Sequence, residues 1–108
     1  MESGGWTSPS VVVPVFNAEI HAPVRLRICS ALAASPTLDF ATLRDTLGLA
    51  DSVVSKHVSR LEDAGYALVQ KVPGGGRMRT WISLTDPGRI AFAAHMAALQ
   101  QICLSSGL

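Results

Sequence analysis

Apolar positions recur along the chain first at helical spacing and then in alternation, and the change of period divides it. From Pro23 to about Ala34, Val24, Ile28, Ala31 and Leu32 fall on one helical face and Leu26, Cys29 and Ala33 on a second, which predicts a helix buried on two sides. Pro23 suits its first turn, where a missing N–H costs nothing, and Pro36 lies just past its end. Phe40, Leu43 and Leu47 recur at i, i+3 and i+7, which predicts a second, short helix with Asp39 as its cap and Gly48 as its end. After the turn Gly48-Leu49-Ala50, a third helix is expected from about Asp51 to Ala64, with Val54, Val58 and Leu61 as its core stripe and Gly65 closing it.

Beyond Gly65 the period becomes two. Tyr66 to Val72 and Arg77 to Leu84 read as the strands of a hairpin with a flexible tip, Pro73-Gly74-Gly75-Gly76, and Arg77, Arg79 and Trp81 share one of its faces. Thr85 can cap a last helix from about Asp86 to Leu104, with Pro87 tolerated in its first turn. There Phe92, Met96, Leu99 and Cys103 follow the 4-3-4 spacing of a helix–helix seam. The expected fold class is mainly α with a small β-hairpin: two helices joined by a short glycine-containing turn, then a hairpin, then a long helix. Residues 1–16 are expected to be an arm, with a loose Gly/Ser/Pro-rich start and an apolar patch from Val11 to Phe16 that should pack on something. Residues 17–108 make the domain, of which 85–105 form the last helix.

Composition narrows the function. One hundred and eight residues are one domain, with no room for a separate substrate lobe. Apolar residues make up 48% and charged residues 16%, greasy enough that some apolar surface is expected to meet a second subunit. The expected seam is Leu26, Cys29, Phe92, Met96, Leu99 and Cys103, where a run of alanines in the last helix permits close approach. No stretch reads as a signal peptide or membrane span, since Val11 to Phe16 is short and broken by Pro14; the expectation is a reduced cytoplasm.

Nine Lys/Arg against eight Asp/Glu leave a formal charge of +1, so nucleic acid could be held only by local placement of cations. That placement is uneven. Lys56, Arg60, Lys71, Arg77 and Arg79 fall between positions 51 and 80, where the acids are Asp51, Glu62 and Asp63, while positions 1–24 carry no Lys or Arg. The third helix shows Asp51, Ser52, Ser55, Lys56 and Ser59 opposite its core stripe, with Arg60 at the edge. Hydroxyls can donate to or accept from any base edge, and Lys and Arg reach guanine or phosphate, so this ridge suits a major groove. Val53 and His57 flank it and complete the candidate DNA-binding set with Arg77 and Arg79 of the hairpin, where a phosphate contact and packing beside the core are both open to His57. A solvated helix face and a plain surface hairpin are the bland alternatives.

The segments VSKHVSRLEDAGY, PGGGRMRT and SLTDPGR, with HAPVRLRICSAL ahead of them, resemble the winged helix-turn-helix of MarR/ArsR-like transcriptional regulators, in particular their short single-domain members. The resemblance spans about residues 20–104. It implies a homodimer on palindromic double-stranded DNA, recognition helices in successive major grooves about ten base pairs apart, wings on flanking backbone or minor groove, and repression by occlusion. Three departures stand out: Ala50 occupies a place where such proteins often have Ser or Thr, Asp51 brings a negative charge toward DNA, and the wing lacks the Asp-Arg pair common at the tip in larger MarR proteins.

Other chemistry is excluded or weakly supported. His21, His57 and His95 lie far apart without ligand spacing, so no metal is expected, nor any cofactor. The glycine run lacks the lysine and helix of a phosphate-binding loop, and no nucleophile elbow or carboxylate pair marks an enzyme. A small-molecule effector would have to lodge at the dimer interface. A winged-helix protein-interaction module without sequence-specific DNA binding is the alternative, and the basic hairpin argues against it.

Overall fold

The computed structural model describes residues 12–105; the loose start of the arm and Val11 lie outside them. Its elements in order are α1 (Ala18–His21), α2 (Pro23–Ala34), β1 (Leu38–Asp39), α3 (Phe40–Leu47), α4 (Asp51–Asp63), β2 (Ala67–Gly74), β3 (Arg77–Leu84) and α5 (Asp86–Ser105). These are the helices, hairpin and long last helix that the periodicities predict, in the α+β winged helix-turn-helix order that the resemblance implies.

α2, α3 and α4 enclose the core with the inner face of the sheet. Ile28, Cys29 and Leu32 of α2, Leu43 of α3, Val54 and Leu61 of α4 and Ile82 of β3 are essentially without solvent exposure. Fully burying such a Leu or Ile stabilises by about 1.5–3 kcal/mol, so the apolar stripes, rather than helix propensity, hold the three helices together. The second side of α2 is buried differently from expectation: Cys29 and, partly, Leu26 pack inward, while Ala33 is exposed and Arg25 is buried instead.

The helix ends are read correctly at the glycines. Gly48 has φ +68° and its N–H bonds to the Arg44 carbonyl. Gly65, at φ +84°, donates to Glu62 while Tyr66 donates to Leu61, the paired bonds that close a helix through a left-handed residue. Asp39 stands at the start of α3 but caps no backbone N–H; its carboxylate accepts instead from the Thr42 hydroxyl. Thr85 does cap α5, accepting from the Gly88 N–H at 3.0 Å while donating to the Gly65 carbonyl at 2.7 Å.

The sheet has three antiparallel strands in the order β1-β3-β2. β1 is a two-residue bridge ahead of α3 that the sequence pattern did not reveal. The hairpin is also tighter than expected. Gly74 pairs with Arg77, so only Gly75 and Gly76 form the loop, and their φ values of +59° and +83° are those of a two-residue turn whose twist matches the strands. Pro73 and Gly74 therefore belong to β2 and not to a flexible tip.

α1 was not foreseen. Asn17 caps it, its side-chain oxygen accepting from the Ile20 N–H at 3.0 Å, and Ile20 is fully buried. Ahead of it the chain lies along α5, with the Val15 N–H 3.1 Å from the Ala94 carbonyl, so the described part of the apolar patch does pack. Its side chains are only partly covered, Val13, Val15 and Phe16 remaining exposed. No helix of the described residues is long and apolar enough to cross a membrane.

Candidate nucleic-acid interface

α4 turns Val54, Val58 and Leu61 inward, and the same geometry sets Ser52, Ser55, Lys56, Ser59 and Arg60 on the exposed side. Between this ridge and the wing runs a groove of about 530 Å³, bordered by Ser55 and Ser59 of α4 and by Lys71 and Thr80 of the sheet. Lys71 counted only as a charge in the sequence; pairing of Lys71 with Thr80 across the hairpin puts both on the side that faces α4.

The opposite face of the hairpin carries Arg77, Arg79 and Trp81, as their alternation predicts. The Arg79 guanidinium lies 5.4 Å from the centre of the Trp81 ring and 3.9 Å from the Asp39 carboxylate, so it is held in place on a flat apolar surface. The Thr42 hydroxyl, and then Arg79, keep the Asp39 carboxyl below its ordinary value. A second groove joins Arg77 and Arg79 to Arg44 of α3. Arg44 did not stand out in the sequence, because it sits on the polar side of a helix with no feature of its own.

Arg44 also resolves the difficulty of Asp51. Its Nη1 donates to the Asp51 carboxylate at 3.0 Å and its Nε to Asp45 at 3.0 Å, so the acid at the start of α4 faces a guanidinium. The α4 N-terminus is capped only by its backbone, the Val53 and Val54 N–H groups both bonding to the Ala50 carbonyl, and Ala50 offers no side-chain cap.

Two further candidate residues, both on α4, also have partners within the chain. Arg60 makes a paired contact with Glu19 of α1, Nε to Oε2 at 3.1 Å and Nη2 to Oε1 at 3.3 Å. His57 is half-buried, and the Arg25 Nη1 donates to its Nδ1 at 3.0 Å, which leaves its remaining ring proton on Nε2. Burial, then the charges of Arg25, Lys56 and Arg60, hold His57 below the ordinary histidine value. Val53 is half-buried beside the ridge.

The expected seam divides. Phe92 and Leu99 are half-buried, Met96 and Cys103 are exposed, and Leu26 is partly covered. Cys29 is a correction: it has no exposed surface within one copy, because α2 presses it into the core, and so it cannot touch a partner. Burial also pushes its thiol up to about 12, which leaves it unreactive. Beyond Met96, Ile102 and Leu104 are exposed as well, at 52% and 75%.

Among the described residues no group of three or more His, Cys, Asp or Glu could hold a metal ion. The fold nevertheless unites two of the scattered histidines: His21 Nδ1 lies 3.2 Å from His95 Nε2.

Residues 24–103 match the model of a family described as a winged helix DNA-binding domain. An uncharacterized protein of Methanocaldococcus jannaschii is 30% identical over 82 residues, which are 76% of this chain and 89% of that protein. Among solved structures, a transcriptional regulator homologue from Pyrococcus horikoshii OT3 is similar with a TM-score of 0.79 at 26% identity, over 83% of this chain and 89% of that one. A MarR family transcriptional regulator from Silicibacter pomeroyi is similar with a TM-score of 0.64 at 25% identity, over 81% of this chain and 57% of that one.

Proposed function

The chain belongs to the winged helix DNA-binding domain family and is a MarR-like regulator, and from that premise we propose that it acts as a homodimeric repressor on a palindromic operator. α4 enters the major groove, where Ser52, Ser55, Lys56 and Ser59 meet base edges and Val53 gives apolar contact. His57 offers an Nε2–H donor, and Arg60 and Lys71 reach the backbone. The wing follows the flanking phosphates or the minor groove with Arg77 and Arg79. The observation that carries this reading is the exposed Ser/Lys ridge of α4 beside an arginine-bearing wing, with Asp51 at the start of the ridge already met by Arg44.

The homodimer forms through α5. Leu26, Phe92, Met96, Leu99 and Cys103 line the seam, and the exposed Ile102 and Leu104 extend it. Twenty residues make α5 about 30 Å long, and its last turn is exposed throughout, which suits a partner helix laid against it. Binding across a promoter then represses by occlusion. Replacing Lys56 with Ala tests the groove assignment: base preference at the contacted position should relax, and an unchanged sequence profile would remove Lys56 from readout.

A further inference from the structure

α1 is four residues long, yet it touches both ends of the proposed machinery. On one side His21 meets His95 of α5. On the other, Glu19 holds Arg60 of α4, and the Glu19 carbonyl and carboxylate also receive the Arg25 Nε, at 2.6 and 3.5 Å, while Arg25 in turn holds His57. Two recognition-helix residues are therefore tied to α1, directly or through one buried arginine.

The histidine contact is fixed by its proton arrangement. The Asn17 N–H donates to His95 Nδ1 at 3.0 Å, so that nitrogen carries no proton, and the His95 proton sits on Nε2 and points at His21 Nδ1. A proton added to His95 would set two N–H groups against each other at Asn17; one added to His21 Nδ1 would do the same against His95. Neither ring can charge in place without breaking a contact that holds α1 and its leading segment to α5. The Phe16 ring, 4.9 Å from each imidazole, covers the pair, and His95 has no exposed surface.

We propose that α1 is a proton-sensitive coupler: while the His21–His95 pair is neutral it keeps Glu19 on Arg60, and protonation frees α1 from α5 and releases Arg60 for DNA. This rests on the reading of α4 as the DNA-facing helix. The charged and titratable neighbours are few. Glu19 on α1 is occupied by Arg25 of α2 and Arg60 of α4, His57 of α4 connects through Arg25, and Tyr66 reaches the pair through the Asn17 amide, which donates to its hydroxyl at 2.9 Å. Among the described residues no carboxylate bonds to either ring, so no counter-charge meets a charged imidazole. Burial, the larger cause, lowers His95 below its ordinary 6.5, and a charge placed on His21 would lower it further. The docked state therefore binds fewer protons than the released state, and its advantage, full above about 6.5, is lost as the pH falls through the docked His95 value.

The test titrates the full chain from about pH 7.5 to about pH 4.5, from above the ordinary histidine value of about 6.5 to well below it, at constant salt, and compares the two ends. Nuclear magnetic resonance follows the Asn17 amide, the His95 ring and the Arg60 Nε–H, and a labelled duplex of mixed sequence reports binding. The three signals should move with one midpoint, and the acid sample should bind about two- to fivefold tighter, the change expected when one exposed ion pair stops competing. Glu19→Gln should bind at the higher pH as the native chain does at the lower. An Arg60 signal that stays fixed while His95 titrates overturns the coupler, as does a Glu19→Gln variant with the native ratio between the two pH values, since that ratio would then come from His57 or bulk charge. No binding by any form at either pH overturns the DNA reading instead, and the joint movement of the three signals then decides the coupler alone.

Discussion

Arg44 of α3 sets its Nη1 3.0 Å from the carboxylate of Asp51, the first residue of α4, so a cation of one helix screens an acid at the mouth of the next. The Asp51 side chain is largely exposed and that of Arg44 partly so, and such a surface pair adds little to stability. Its consequence is for binding. Arg44 borders the groove shared with Arg77 and Arg79, and Asp51 holds it back from phosphate. Asp51→Asn should bind mixed-sequence DNA more tightly, with a salt slope steeper by about one. Titration against salt checks this; an unchanged slope would mean that Arg44 never reaches the backbone.

The wing arginines should differ from each other. Arg77 projects beside the glycine turn, whereas Arg79 rests on Trp81 and near Asp39. Arg77→Ala is expected to weaken binding to all sequences alike and to lower the salt slope by about one, leaving stability unchanged. Arg79→Ala should do the same and also expose Trp81, read as a change in its fluorescence. Full affinity in both variants would show that the wing lies off the DNA.

Gly88, in the first turn of α5, is packed against the Tyr66 backbone so closely that a Cβ would lie 2.1 Å from its carbonyl oxygen. Neither partner is a side-chain end that could swing away, because Tyr66 follows the closed end of α4 and its carbonyl accepts from the Thr85 N–H. Gly88→Ala should therefore destabilise by about 3 kcal/mol, lowering the melting temperature by more than about 10 °C. A melting temperature within about 2 °C of the native value would contradict the close approach.

For the dimer, Met96 and Ile102 are useful because each is exposed in a single copy, at 42% and 52%. Met96→Glu with Ile102→Glu should leave the fold intact by circular dichroism and shift sedimentation from dimer to monomer at micromolar concentration. DNA affinity should fall with it, since two half-sites no longer act together. A native chain that sediments as a monomer would overturn the α5 seam.

The parts of this molecule that were legible in its sequence are those governed by local periodicity and by glycine. Val54, Val58 and Leu61 announced the inner face of α4, and Gly48 and Gly65 marked helix ends because each takes a positive φ. What stayed hidden depends on contacts between distant segments. β1 is two residues long and exists only because Leu38 and Asp39 pair with Ile82 and Trp81. His21 and His95, 74 positions apart, meet only once α1 folds back on α5. Arg25 looks like an ordinary surface cation until Glu19 and His57 satisfy it from two other helices. The one detectable hint of α1 was Asn17 ahead of Ala18 and Glu19, a cap followed by an acid in the first turn. Cys29 misled for a related reason: helical spacing identifies a second apolar side of α2 but not whether the same chain or a partner covers it.

The measurement that bears most directly on the account is selection of random duplexes by the purified full chain, followed by titration of the selected sequence against salt. A palindrome with half-sites about ten base pairs apart and a steep salt slope is the predicted result, since α4 and the wing of each copy would then read successive turns of one duplex. Recovery of no motif, with only weak binding abolished by salt, would contradict it and point to a surface that engages protein.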